Sequence, residues 1–142
     1  MMTVNQILST KGKEVYSIVS TITVYEALKV LGEKNIGAIP VIEDGLLKGI
    51  LSERDYARKI VLKDKSSKET LVSEIMEREV VTVKPSDNVD YCMELMSKRR
   101  IRHLPVVENN AVIGLVSIGD VVKTIIEIQK ETIKHLDSYI SQ

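Results

Sequence analysis

The stretch "GILSERD" (Gly49–Asp55) is followed sixty-five residues later by "GLVSIGD" (Gly114–Asp120), with glycine, serine and aspartate in the same places. Extending this register in both directions aligns residues 15–60 with 80–125 without a gap. Ten positions are identical, among them Val24/Val89, Ile36/Ile101, Pro40/Pro105, Val41/Val106 and Ile60/Ile125. Several of the remaining pairs exchange one aliphatic side chain for another, such as Ile42 for Val107. A gapless internal register of this length marks a duplicated supersecondary unit.

Each copy reads as β-α-β-β-α. A short apolar strand opens it, "VYSIV" (15–19) or "VVTVK" (80–84). The helix that follows has Val24, Leu28 and Leu31, or Val89, Met93 and Met96, spaced by four and three along one face. Thr23 and Asn88 are its expected N-caps. Two strands come next, "AIPVIEDGLLKGILS" and "HLPVVENNAVIGLVS", each joined by a pair that tolerates positive φ, Asp44-Gly45 or Asn109-Asn110. A second helix starts at Ser52 or Ser117. The expected fold is therefore α/β, an α+β sandwich of two repeats with a long C-terminal helix. The first repeat with its N-terminal helix spans 1–62, a polar linker 63–72, and the second repeat with the extended helix 73–142.

The last helix carries Val122, Ile125, Ile126, Ile133, Leu136 and Ile140 as a helical stripe. It can pack on its own domain, against Val4, Ile7 and Leu8, or serve as a partner surface. The sequence leaves both open.

Composition removes several function classes. Twenty basic and twenty acidic residues cancel, so no global field draws nucleic acid or anionic membrane. Trp and Phe are absent and Tyr numbers five, a poor supply of stacking platforms for a single-strand binder. The single cysteine, Cys92, admits no internal disulfide and fits a reducing, cytoplasmic setting. No apolar run approaches the roughly 18 residues of a membrane span. The start of the chain has no apolar core of signal-peptide length. His103 and His135 have no Cys/His spacing of a zinc site. Asp55 and Asp120 have no activated nucleophile near them in sequence, and Cys92 reads as a core thiol, so no catalytic residue is assigned.

The doubled Gly-x-x-Ser-x-x-Asp has two readings. In one, Ser and Asp form a capping box that stabilises each helix by about 1 kcal/mol. In the other, the helix N-terminus and serine hydroxyl hold a phosphate, the carboxylate accepts from ribose hydroxyls, and glycine leaves a slot beside them. Arg54 in the first motif and "KRRIRH" (Lys98–His103) before the second Pro-Val strand supply cations. Gly119 replaces Arg54 in the second motif, so the two sites are chemically unequal.

These residues together resemble the cystathionine-β-synthase (CBS) domain family in its tandem arrangement, the Bateman module. The resemblance covers both copies, both "PV" strands and both Gly-x-x-Ser-x-x-Asp segments. The strings "SERDYARKI" and "RIRHLPVVENNAVIGLVSIGD" are similar to a stand-alone bacterial and organellar branch. It implies repeats packed through their sheets with pseudo-two-fold symmetry, and composite clefts that take AMP, ADP, ATP, NAD or S-adenosylmethionine. Carried over, one cleft joins Ser117 and Asp120 to Lys11, Tyr16, Gly37 and Ala38, the backbone of the last two reading the adenine edge. The other joins Ser52, Arg54 and Asp55 to Met76, Val81, Arg102 and His103. The cleft with Gly37, Ala38 and Asp120 is the first choice for occupancy. The resemblance further implies a regulatory module with no required cofactor, an unidentified regulated protein, and a homodimer formed through helices such as "YARKIVL" (56–62) and "DVVKTII" (120–126). The alternative is a structural interaction module with empty clefts; a small thiol-based or hydrolytic enzyme comes third.

Overall fold

Two antiparallel hairpins organise the computed structural model, which describes residues 2–12 and 14–141. β1 (Ala38–Glu43) pairs with β2 (Leu46–Ser52), and β3 (His103–Glu108) with β4 (Ala111–Ser117). The turns form as the sequence requires: Asp44 and Gly45 have φ of 52° and 75°, Asn109 and Asn110 of 52° and 65°. Positive φ at both central residues gives a turn whose twist matches that of the strands.

The helices are α1 (Val4–Lys11), α2 (Val24–Lys34), α3 (Glu53–Tyr56), α4 (Val72–Ile75), α5 (Val89–Arg99) and α6 (Ile118–Ile140). Thr23 and Asn88 cap α2 and α5 as expected, accepting from the Glu26 and Tyr91 amides at 3.1 and 2.8 Å. Beyond Tyr56 the chain continues as a π-helical turn, Ala57–Val61, with the Leu62 amide donating to the Ala57 carbonyl at 3.0 Å. The equivalent stretch of the second copy is unbroken α-helix within α6.

The expected opening strands are reduced to single parallel bridges, Ile18 to Val41 and Val83 to Val106. Each bridge makes two hydrogen bonds, such as Ile42 N–H to the Ile18 carbonyl at 2.9 Å. The next donor along the strand then fails the ladder in both copies, for different reasons. The Ser20 amide donates instead to the Glu43 carboxylate at 2.7 Å. Its equivalent is Pro85, which has no N–H.

The chain divides into two compact units: Met1–Lys13 with Thr82–Glu108 and Ile113–Gln142, and Glu14–Val81 with Asn109–Val112. Although α1 precedes the first repeat in sequence, it groups in space with the second copy. There the amides of Val4 and Asn5 donate to the carbonyls of Asp87 and Pro85 at 2.8 and 2.9 Å. Val4 and Leu8 are buried in that unit, as are Val89, Cys92, Leu104 and Val116. In the other unit α4 follows the first copy in sequence and packs with it. Val72, Ile75 and Met76 join Val24, Ala27, Leu31, Val41 and Leu51 in one core. Each sheet thus receives a helix that lies outside its own duplicated stretch.

Candidate functional site

Both Ser-x-x-Asp motifs sit at the start of a helix with their capping boxes closed. Ser52 and Ser117 end β2 and β4 in extended conformation, and each hydroxyl accepts from the aspartate amide three residues on, at 3.2 and 3.1 Å. The carboxylates reach back: Asp55 and Asp120 accept from the Ser52 and Ser117 amides at 2.9 and 2.8 Å. The following amides, Glu53 and Ile118, donate to the carbonyls of Gly37 and Arg102 at 3.0 and 2.8 Å. Each motif is thereby tied to the residues just before the Pro-Val strand of its own copy.

The glycines have a different role from the ligand slot expected of them. A Cβ on Gly114 would lie 2.6 Å from a Leu8 methyl. One on Gly49 would lie 2.8 Å from both the Glu77 carbonyl oxygen and the Met76 sulfur. The close neighbour is in each case the protein itself, α1 at Gly114 and the residues that end α4 at Gly49. At Gly49 that neighbour is fixed, because Glu77 pairs with Ile50 through two backbone hydrogen bonds of 2.9 Å.

Each aspartate also meets a lysine, and the source differs between copies. Lys59, four residues beyond Asp55, approaches its carboxylate at 3.2 Å and donates to the Ile75 carbonyl at 2.8 Å. Sequence reasoning did not single out Lys59, although an acid-to-lysine spacing of four on a helix is a readable signal. In the second copy that position is Thr124, whose hydroxyl donates to the Asp120 carbonyl at 2.9 Å. The cation there is Lys11, the last residue of α1, which donates to Asp120 Oδ2 and to the Leu115 carbonyl, both at 2.7 Å.

Within the unit that contains α1, five of the expected site residues come together: Lys11, Arg102, His103, Ser117 and Asp120. Burial would push the Asp120 carboxyl up, but the hydrogen bonds from Lys11 and the Ser117 amide outweigh it and hold the group below its ordinary value. His103 feels this cluster directly. Burial, then the Lys11 charge, push its pKa down; Asp120 pulls it up, and Arg102 adds to the depression. The imidazole is therefore biased towards its neutral form at neutral pH.

The other unit holds Tyr16, Gly37, Ala38, Ser52, Arg54, Asp55, Met76 and Val81. Ala38 is fully buried and pairs with Ser52 in the β1–β2 register. Tyr16 packs at the edge of the core, with the Lys34 ammonium 4.8 Å above its ring. Val81 is half-buried and lies just before the Val83 bridge. Arg54 is half-buried on α3, and Met76 lies against the Gly49 backbone.

Among the described residues no cluster of three His, Cys, Asp or Glu is placed to hold a metal ion. Cys92 is fully buried, and burial followed by the Asp87 charge pushes its thiol up to about 11. A thiol so far from ionised is a poor nucleophile. Among the described residues no helix is long and apolar enough to cross a membrane.

Two segments, residues 4–62 and 72–127, match the family model described as CBS domain. The chain is 40% identical over 147 residues to the mitochondrial CBS domain-containing protein CBSX3 of Arabidopsis thaliana, covering 97% of this chain and 71% of that protein. The crystal structure of the CBS domain NE2398 superposes with a TM-score of 0.84 at 44% identity, over 87% of this chain and 97% of that one. The CBS domain pair of protein MJ0100, solved with 5′-methylthioadenosine and S-adenosyl-L-methionine, gives a TM-score of 0.78 at 31% identity, over 88% and 96% of the two chains.

Proposed function

The chain belongs to the CBS domain family, and from that premise we propose that it is a regulatory module that binds an adenosyl ligand and alters a partner's behaviour through a population shift. The observation that carries this reading is the cluster at the start of α6. Ser117, Asp120 and Lys11 meet there, with His103 within reach of their charges. A helix N-terminus, a lysine and a neutral imidazole donor suit phosphate, and a carboxylate kept ionised suits ribose hydroxyls. MJ0100, similar over nearly the whole chain, was solved with two adenosyl compounds, which supports the ligand class. The proposed ligand-binding residues are Lys11, Arg102, His103, Ser117 and Asp120 in one unit and Tyr16, Gly37, Ala38, Ser52, Arg54, Asp55, Met76 and Val81 in the other.

AMP, ADP and ATP are the preferred ligands, NAD and S-adenosylmethionine the alternatives. A ligand that prefers one conformation of the chain shifts the population towards it, which is all that a switch requires. The partner so regulated, a homodimeric state and a cytoplasmic location belong to the same proposal.

The closed capping boxes favour a second reading, a structural module whose Ser and Asp only cap helices. Calorimetric titration with AMP, ATP, NAD and S-adenosylmethionine separates the two. Saturable binding to one of them, lost in Asp120→Ala or Asp55→Ala while the variant stays folded, supports the sensor and names the working motif. If protein freed of copurified nucleotide binds none of the four, the structural reading replaces it.

A further inference from the structure

Beyond its first two turns α6 is bare. Val121 and Thr124 are buried and Ile125 half-buried, but every described residue from Ile126 to the end of the helix is exposed. A bare helix of this length is marginal in water, because most helical stability comes from packing an apolar face. The apolar face exists. Val122, Ile126, Gln129, Ile133, Leu136 and Ile140 follow one another at spacings of 4, 3, 4, 3 and 4, the repeat of a coiled-coil seam. The exposed apolar members are substantial: Ile133 is 59% exposed, Leu136 56% and Ile140 79%. Most of this segment lies past residue 127, where the match to the CBS family model ends.

The seam also specifies what covers it. Reading Ile126, Ile133 and Ile140 as a positions puts β-branched side chains at every a. Val122, Gln129 and Leu136 then occupy d. In a parallel coil, β-branched residues at a with leucine at d, here Leu136, favour two strands. Gln129 is the one polar member, and across a two-fold axis it faces its own copy, so the two amides can donate to and accept from each other. The flanks agree. In a parallel pair Thr132 faces the partner's Asp137 and Ile125 the partner's Lys130, so no like charges meet. An antiparallel pair in the a-to-d register would set Lys130 against the partner's Lys130.

We infer that residues 122–140 of α6 form a parallel two-stranded coiled coil with a second copy of this chain. The seam is distinct from the nucleotide motifs, so the inference stands whether or not the chain binds an adenosyl ligand.

The test uses the full chain with Leu136→Cys, oxidised and separated without reductant. In a parallel seam Leu136 sits opposite its own copy, so a disulfide-linked dimer is expected. Glu131→Cys, on the outer face of the helix, should not link. The native thiol of Cys92 is buried and does not compete. Hydrogen exchange supplies the independent readout: residues 126–140 should exchange slowly in the wild type and lose that protection in Ile133→Glu. This substitution at an exposed position spares both cores. Fast exchange of 126–140 in the wild type, or equal linking at 131 and 136, would overturn the inference. So would a dimer sensitive to Ile133→Glu in which Leu136→Cys never links, since that is an antiparallel pair.

Discussion

At Gly114 the missing Cβ is the space that Leu8 occupies. Leu8 is only 1% exposed and has no room to retreat, so Gly114→Ala should destabilise the protein by about 1–3 kcal/mol through overpacking. In a Leu8→Ala background the same change should cost far less, and denaturant melts of the four proteins would measure the coupling. Gly49→Ala should behave differently. Its neighbours include the Glu77 backbone oxygen as well as the Met76 side chain, so Met76→Ala should relieve little. His103 makes a second residue-scale prediction. Its folded-state value lies below the ordinary 6.5, so the unfolded chain takes up a proton first on acidification. Stability is fully present above about pH 6.5 and declines as pH falls through the lowered folded value. Urea midpoints at several pH values should show this decline in the wild type and a flatter profile in His103→Gln. The contribution of Asp120 has the same sign but belongs to a lower window, below its ordinary 3.8.

Comparing the two copies at the element scale separates what local sequence dictates from what it cannot. Gly45 and Asn110 occupy equivalent turn positions at φ of 75° and 65°. Glycine reaches that region without steric penalty and asparagine with a small one. Asn110→Gly should therefore stabilise the second hairpin by about 0.5 kcal/mol, read as a raised denaturant midpoint. The turns, the N-caps and both Ser-x-x-Asp boxes were legible in the sequence because they rest on hydrogen bonds between residues at most three apart. The opening strands were not. Their apolar pattern is real, since Ile18 and Val83 are buried. Their length, however, depends on where the next amide finds its acceptor: at Ser20 a distant carboxylate takes it, and at Pro85 there is none to give. The π-helical turn after Tyr56 lay beyond local pattern too, because its composition is that of an ordinary helix.

For the molecule as a whole, binding and stability are linked. A ligand that prefers the folded chain raises its stability by about 2.7 kcal/mol at a hundred times its dissociation constant. Saturating adenosyl ligand should accordingly raise the thermal midpoint of the wild type, and the rise should vanish in Asp120→Ala if that motif is the working one. The control is the midpoint of Asp120→Ala without ligand, which isolates the loss of the cap and of the Lys11 contact. The coiled coil adds a second linkage, since pairing through α6 makes the unfolding midpoint depend on protein concentration.

By itself the sequence determined the duplication, the α-β-β-α order that follows each opening segment, the turns, the caps and the apolar stripe along α6. All of these follow from periodicity or from spacings of a few residues. Only the tertiary structure decided which sheet α1 and α4 each join, what fills the space beside Gly49 and Gly114, and which lysine meets each aspartate. The reason is physical. Val4, Ile7 and Leu8 match Val72, Ile75 and Met76 so closely in character that either segment could cover either sheet, and local pattern cannot choose between equivalent apolar faces. The choice is made by long-range contacts, such as the Val4 amide on the Asp87 carbonyl and Lys11 on Asp120, which link residues some eighty to a hundred and ten positions apart.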